Sequence, residues 1–370
     1  MAHLIIVGAF PHSLINFRGD LIKAFIKAGH RVTAMSAPAT NEQIEQIKAL
    51  GAEFYPFLIK RNNLNPLDDL KTLISLYKAF KKLAPDAVIA YTIKPVIWSG
   101  WALKFLPKIH FHALITGLGY SFQPVNWSRK LLQNLVSMLY KHSLHRAKSV
   151  IFQNPDNLEL FVSLNITKKN KCYSVNGSGV NLDYFSFSEI SIKQTRFLLI
   201  ARLLIEKGLY EFVEAARLIK QKYPQVELQI LGSIDSSPDA ISLKTIKKWE
   251  EEGNVEYLGE TKDVRPFLRE CSIFVLPSYH EGMPRSVLEA MAIGRPILTT
   301  DIAGSRETVK NNENGFLVPP MDSKALANKM EWFILNKDKW QMMGNASRKI
   351  AKKKFDVQTI NKKMLQIIDL

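Results

Sequence analysis

The sequence predicts an α/β protein made of two βαβ domains, each with a doubly wound parallel sheet. Three observations lead there. Short apolar runs alternate with helix-periodic segments along the whole chain, the rhythm of parallel strands joined by crossover helices. One Gly-, Asn- and Ser-rich segment, 176–188, interrupts the alternation and reads as a linker. A length of 370 residues is also more than one hydrophobic core usually holds.

The elements follow in order. In the first half, 4–7 is a strand, 17–28 a helix stopped by Gly29, 31–35 a strand and 42–50 a helix stopped by Gly51. Strand 53–58, helix 67–82, strand 87–91, helix 98–105 and strand 109–115 come next. Helix 131–145, strand 149–153, helix 155–164 and strand 171–175 complete the series. The second half repeats it, with strands 196–201, 226–232, 255–258, 272–276, 296–299 and 315–318. Helices 208–222, 243–251, 262–269 and 286–293 alternate with them, with one helical turn at 305–309. Helices 324–335, 341–355 and 357–368 close the chain. The expected domains are 1–185 and 186–355, with 356–370 returning to pack on the first. Two such domains imply an interdomain cleft faced by strand C-termini, where ligands of open α/β sheets bind.

Composition narrows the class. Apolar content of 46% with 23% charged residues is that of an ordinary globular protein. Cys172 and Cys271 stand far apart without metal-ligand spacing, so they read as buried thiols in a reducing compartment. The apolar N-terminus lacks a basic leader region and reads as a buried strand rather than a signal peptide. No apolar run reaches the 18 residues a membrane-spanning helix needs. Net charge is +16 and unevenly spread: residues 1–185 hold 22 Lys and Arg against 10 Asp and Glu, and the remainder 28 against 24. The first half therefore carries +12, which suits an anionic partner: a membrane surface, a phosphorylated substrate or nucleic acid.

The chemistry concentrates in 276–294. A buried strand there runs into a Gly-Met-Pro turn and then a helix, with Glu281 before the turn and Glu289 one turn inside the helix. Free amides and the positive dipole end at such a turn suit an anionic ligand. For two glutamates alone, a solvated helix face is the commoner reading. The sharper reading gains from Arg202 and Lys207, which follow strand 196–201. Cations at a helix start oppose its dipole, so a pair there suits a diphosphate. Gly117 and Gly119 follow strand 109–115 and would let backbone approach a ligand. Arg18, Arg61 and Lys94 lie near strand ends or the helix starts after them, where three cations could jointly recognise a second diphosphate. Singly, each is as readily an exposed cation. His112 reads as a core or edge histidine. Asp68 and Asp69 suit the positive end of helix 67–82, so no metal site is expected. Helix 131–145 is apolar with basic flanks, as an interfacial helix would be. A buried crossover helix is the commoner source of such a stripe, and the charge excess of the first half tilts the reading towards membrane contact.

The runs 201–208 (ARLLIEKG), 278–294 and 301–320 (DIAGSRETVKNNENGFLVPP) together resemble the C-terminal domain of family-4 retaining glycosyltransferases of GT-B fold. In the first half, IKRNNLNPLDDLKTL at 59–73, YTIKPVIWSG at 91–100 and ITGLGYSF at 115–122 are similar to a subgroup that builds bacterial surface polysaccharides. The resemblance spans the chain. It implies that Arg202 and Lys207 hold the donor's diphosphate, Glu289 the ribose hydroxyls, and that Glu281 and the amides of Gly282 and Met283, before Pro284, line the donor sugar. It implies a base-binding edge at Leu258 and Gly259, and donor and acceptor contacts at Gly117 and Gly119. Many members carry histidine where Thr116 stands. The implied donor is a UDP-sugar and the implied acceptor a saccharide on undecaprenyl diphosphate, met by Arg18, Arg61, Lys94 and Thr116. No cofactor or metal is implied. The expected location is cytoplasmic, peripheral on the inner face of the cell membrane. A UDP-sugar epimerase shares the architecture. A nucleic-acid-binding protein would suit the charge, but no recognition helix, zinc spacing or stacking motif supports one, and no nucleic-acid partner is expected.

Overall fold

The computed structural model describes residues 1–60, 65–118, 122, 127–235, 237 and 239–370. The chain divides into two compact units: Met1–Ser178 with Gln358–Leu370, and Gly179–Val357.

Unit 1 holds β1 (His3–Val7), α1 (Pro11–Lys27), β2 (Arg31–Ser36), α2 (Asn41–Ala49), β3 (Glu53–Pro56), α3 (Pro66–Leu83) and β4 (Ala87–Tyr91). It continues with α4 (Ile93–Leu103), β5 (His110–Ile115), α5 (Trp127–Leu144), β6 (Ser149–Phe152), α6 (Pro155–Ser163) and β7 (Cys172–Ser174). The sheet order is β3-β2-β1-β4-β5-β6-β7, every pair parallel. Strands such as β1 and β4 are buried on both faces, which is why they read as continuous apolar runs. Leu14, Leu21 and Phe25 of α1 pack on one sheet face with Ile47 of α2. Leu76 and Phe80 of α3, Val96 of α4, Tyr140 of α5 and Phe161 of α6 cover the other.

Unit 2 holds β8 (Arg196–Ile200), α7 (Leu209–Lys222), β9 (Glu227–Leu231), α8 (Leu243–Glu251), β10 (Glu256–Tyr257), α9 (Arg265–Glu270) and β11 (Ile273–Leu276). Then come α10 (Arg285–Ile293), β12 (Ile297–Thr300), β13 (Gly315–Val318), α11 (Ser323–Leu335) and α12 (Trp340–Ile350). Its order is β10-β9-β8-β11-β12-β13, again all parallel. In both units the chain starts mid-sheet, winds outward, then returns to wind the other way. The strand order therefore reverses between β1 and β4, and between β8 and β11. The last helix, α13 (Val357–Ile368), buries Ile360, Met364 and Ile368 against the α1–α2 face of unit 1.

Helix starts are where local reading and structure part. Helix α1 begins at Pro11, not at 17, because proline at N1 has a preset φ and its missing N–H costs nothing there. Helix α4 begins at Ile93, not 98, since Pro95 is tolerated in a first turn. Helix α5 begins at Trp127, not 131. In place of the helical turn expected at 305–309, residues 303–308 form turns.

Candidate functional site

The carboxyl ends of β8 and β11 flank the point where unit 2's strand order reverses, and most of the expected donor-site residues stand there. Past β8, Leu203 and Leu204 are buried and anchor the loop, leaving Arg202 half exposed and Lys207 at its far end. Backbone bonds from Leu203 N–H to the Ser233 carbonyl (2.9 Å) and from Ile205 N–H to the Asp239 carbonyl (3.0 Å) stitch this loop to the one after β9. Gly208 then turns the chain into α7 with φ 71°, a left-handed conformation glycine adopts freely. A Cβ there would lie 2.1 Å from the Pro277 carbonyl oxygen, so glycine also permits the close approach of the two loops.

Past β11, the loop carrying Glu281 is tied back to that of β8. Tyr279 N–H donates to the Glu206 carbonyl (2.8 Å), and its hydroxyl lies 2.7 Å from both carboxylate oxygens of Glu211 on α7. Lys207 Nζ donates to Glu281 Oε1 (2.7 Å), and Ser278 Oγ donates to the same oxygen (2.9 Å). Both partners of this pair are largely buried, 14% and 13% exposed. Gly304 comes so close that a Cβ on it would lie 2.5 Å from the Gly282 carbonyl oxygen, which holds the turn from the β12 side. Burial pushes the nearby Glu206 carboxyl above the usual glutamate range, against the pull of Lys207.

Pro284 is the N-cap of α10, with no side-chain cap and no acidic residue in the first turn. The helix start therefore keeps its partial positive charge for a ligand. Met283 beside it packs partly on the α9–α10 core. Glu289, largely buried, accepts from Arg285 Nε at 2.8 Å one turn away. Burial raises its carboxyl above the ordinary range, partly offset by that guanidinium. Leu258 and Gly259 follow β10; the Gly259 carbonyl accepts from Gly232 N–H (2.8 Å), so this edge adjoins the end of β9.

In unit 1 two of the expected acceptor residues, Arg18 and Lys94, are held by partners of their own. Arg18 lies in the middle of α1 and is buried, its guanidinium 4.8 Å above the Tyr91 ring. It is therefore not the exposed cation at a helix start that the sequence suggested, because α1 begins at Pro11 and turns residue 18 inward. Tyr91 is itself held by Ser13 (2.7 Å), and burial pushes its hydroxyl up to about 12, against the pull of Arg18. Lys94 Nζ, near the start of α4, donates to Asp69 Oδ1 (2.7 Å) and the Lys60 carbonyl (3.0 Å). Asp69 thus has a task besides the α3 dipole. Thr116 and Gly117 follow β5, both half-buried. Arg61 and Gly119 lie outside the described residues. His112 is a core histidine, its Nδ1 2.8 Å from Ser149 Oγ; burial, with Lys148 and His110, pulls its pKa to about 3.

Sequence reasoning missed Asp235, whose Oδ2 accepts from Arg202 Nη1 at 2.5 Å. It also missed Ser278 and the Tyr279–Glu211 contact. Asp235 could have been suspected: it follows β9, a strand that neighbours β8 once the doubly wound order is assumed. Nothing local marks Glu211.

Comparison with known proteins extends this geometry. Residues 12–154 match the family model Glycosyl transferase 4-like, and residues 183–350 match Glycosyl transferases group 1. The N,N'-diacetylbacillosaminyl-diphospho-undecaprenol alpha-1,3-N-acetylgalactosaminyltransferase of Campylobacter jejuni is 30% identical, with 98% of each chain covered. An Escherichia coli enzyme, UDP-Gal:alpha-D-GlcNAc-diphosphoundecaprenol alpha-1,3-galactosyltransferase, is 27% identical over 79% of this chain and 76% of its own. Among solved structures, Anabaena Alr3699/HepE in complex with UDP superposes with a TM-score of 0.78 at 19% identity, covering 99% of both chains.

Proposed function

The chain belongs to the glycosyltransferases, of the 4-like and group 1 families, and from that premise we propose that it transfers a hexosyl or N-acetylhexosaminyl group from a UDP-sugar to an undecaprenyl-diphosphate-linked saccharide. The observation that carries the donor half is the pair of cations, Arg202 and Lys207, at the β8–β11 reversal beside an uncapped helix start. These are the groups a departing nucleoside diphosphate needs. Both relatives act on undecaprenyl-diphosphate-linked sugars, by their names, which supports the acceptor half. A UDP-sugar epimerase would use the same diphosphate groups, but the relatives favour transfer over it and over a nucleic-acid-binding protein.

In this reading Lys207 and Arg202 neutralise the charge that develops on the diphosphate as the glycosidic bond breaks. Glu289 accepts hydrogen bonds from the ribose hydroxyls. The amides of Gly282 and Met283 approach the sugar. Glu281 lines the sugar and, held by Lys207 and Ser278, is not the nucleophile. Transfer proceeds with retention by same-face attack. The acceptor oxygen bonds to the anomeric carbon as the bond to the diphosphate oxygen breaks, and that oxygen takes up the acceptor's hydroxyl proton. Two cations at the diphosphate make a divalent ion dispensable, and EDTA should leave the rate unchanged.

An acceptor on a lipid diphosphate brings the protein to a membrane surface. No described helix is long and apolar enough to cross one. Helix α5 exposes Trp127, Leu131, Leu135 and Met138, one stripe at helical spacing, with Lys130 and Lys141 exposed on the same helix. On the same sheet face, α3 exposes Leu67, Leu70 and Ile74 with Lys71 and Lys78. Apolar stripes flanked by lysines suit the interface of an anionic bilayer, here the inner face of the cell membrane.

The test is transfer of radiolabel from a set of UDP-hexoses and UDP-N-acetylhexosamines to undecaprenyl-diphosphate-linked sugars. At least one pair should yield labelled lipid, with the anomeric configuration of the donor kept. Lys207→Ala should lower kcat by ~10²–10³ with the fold intact. Epimer formation without acceptor, or near-normal turnover by the variant, would overturn the assignment.

A further inference from the structure

Each cation of the donor site already has a carboxylate partner, and the two pairs differ in kind. Lys207 and Glu281 are both largely buried, and Ser278 holds the same carboxylate oxygen, so this pair is fixed. Arg202 is 41% exposed, while its partner Asp235 is 14% exposed and anchored: Oδ1 accepts from Ser237 N–H at 2.8 Å. Burial pushes the Asp235 carboxyl up, but hydrogen bonding from Ser237 and from Arg202 outweighs it, so Asp235 is ionised at neutral pH. With Glu206 also close to both cations, the rim holds at least as many carboxylates as cations. A diphosphate therefore finds both side-chain cations already paired, beside the partial positive charge of the α10 start. One of the resident ion pairs has to open, and the exposed arm of Arg202 is the one able to swing.

We propose that Asp235 is a positioning residue that acts as a resident counter-ion for Arg202, competing with the nucleoside diphosphate for its guanidinium. Donor binding is then an exchange of partners. Asp235 holds the long arginine side chain at the site while it is empty, which limits the rotamer entropy lost on binding. As the product leaves, it recaptures Arg202. The carboxylate costs affinity for nucleotide through like-charge repulsion and speeds the release of UDP. This inference rests on the donor reading above.

The experiment is calorimetric titration of the full chain with UDP and, as a control without phosphate, uridine. Asp235→Asn keeps the shape and removes the charge. It should bind UDP about three- to tenfold more tightly than the wild type, the order expected for deleting one like charge beside an anion in partial solvent. Uridine affinity should not change. Asp235→Ala should move UDP affinity in the same direction, and Asp235→Glu should restore wild-type affinity. A gain in affinity is not what a damaged fold produces, so the sign separates this role from a structural one. UDP affinity unchanged or weakened in Asp235→Asn, with wild type binding UDP, overturns the inference and leaves the donor reading standing. Wild type that binds no UDP overturns both.

Discussion

Gly208 has two reasons to be glycine, and they can be separated. Its φ of 71° is shared by Gly253 at 73°, but a Cβ on Gly253 meets nothing within 4 Å, whereas one on Gly208 lies 2.1 Å from the Pro277 carbonyl oxygen. Gly253→Ala should therefore cost only the left-handed strain, about 1–2 kcal/mol. Gly208→Ala should cost clearly more, because the loops bearing Lys207 and Glu281 must separate. Chemical denaturation of the two variants checks this, and equal losses would contradict the close approach. At this scale the sequence was legible for charge but not for partnership. Arg202 and Lys207 stood out because cations oppose a helix start. Asp235, 33 residues from Arg202, and Glu281, 74 from Lys207, meet them only through the sheet. Arg18 shows the converse: a cation that pattern alone leaves at the surface is buried against Tyr91.

Among elements, α5 was the ambiguous one. An amphipathic crossover helix and an interfacial helix show the same stripe, and periodicity cannot separate them. The structure resolves the geometry by displaying two faces. Val136, Tyr140 and Leu144 are buried on the sheet, while Trp127, 80% exposed, leads a second stripe through Leu131, Leu135 and Met138. Replacing Leu131 and Leu135 together by glutamate should weaken co-sedimentation with vesicles containing anionic phospholipid. The melting temperature should stay nearly unchanged, because neither side chain supports the core. Undiminished vesicle binding would remove α5 from the membrane contact. Strands were the most legible elements, since a strand buried on both faces is a plain apolar run. Helix starts were the least, because Pro11 and Pro95 look like breakers until their place in a first turn is known.

For the molecule as a whole, the path of the chain matters. It builds unit 1, then unit 2, and returns through α13 to finish the α1–α2 face of unit 1. Deleting residues 358–370 removes Ile360, Met364 and Ile368 from that core, and losses of about 2–5 kcal/mol for each large buried side chain exceed what a unit of this kind can spare. Amide hydrogen exchange should accelerate in β1 and β4 while β8 and β11 keep their protection. Unaltered protection in β1 would show that α13 is dispensable. The sequence by itself determined the repeat of βαβ units, the order of their elements and the cationic character of the loop after β8. All of these follow from periodicity and residue type within a few turns of chain. The tertiary structure alone decided which carboxylate each cation meets, which face of α5 stays exposed and where Arg18 points. Those depend on which strands lie side by side, and strand order is set by packing across the whole sheet rather than by any local stretch.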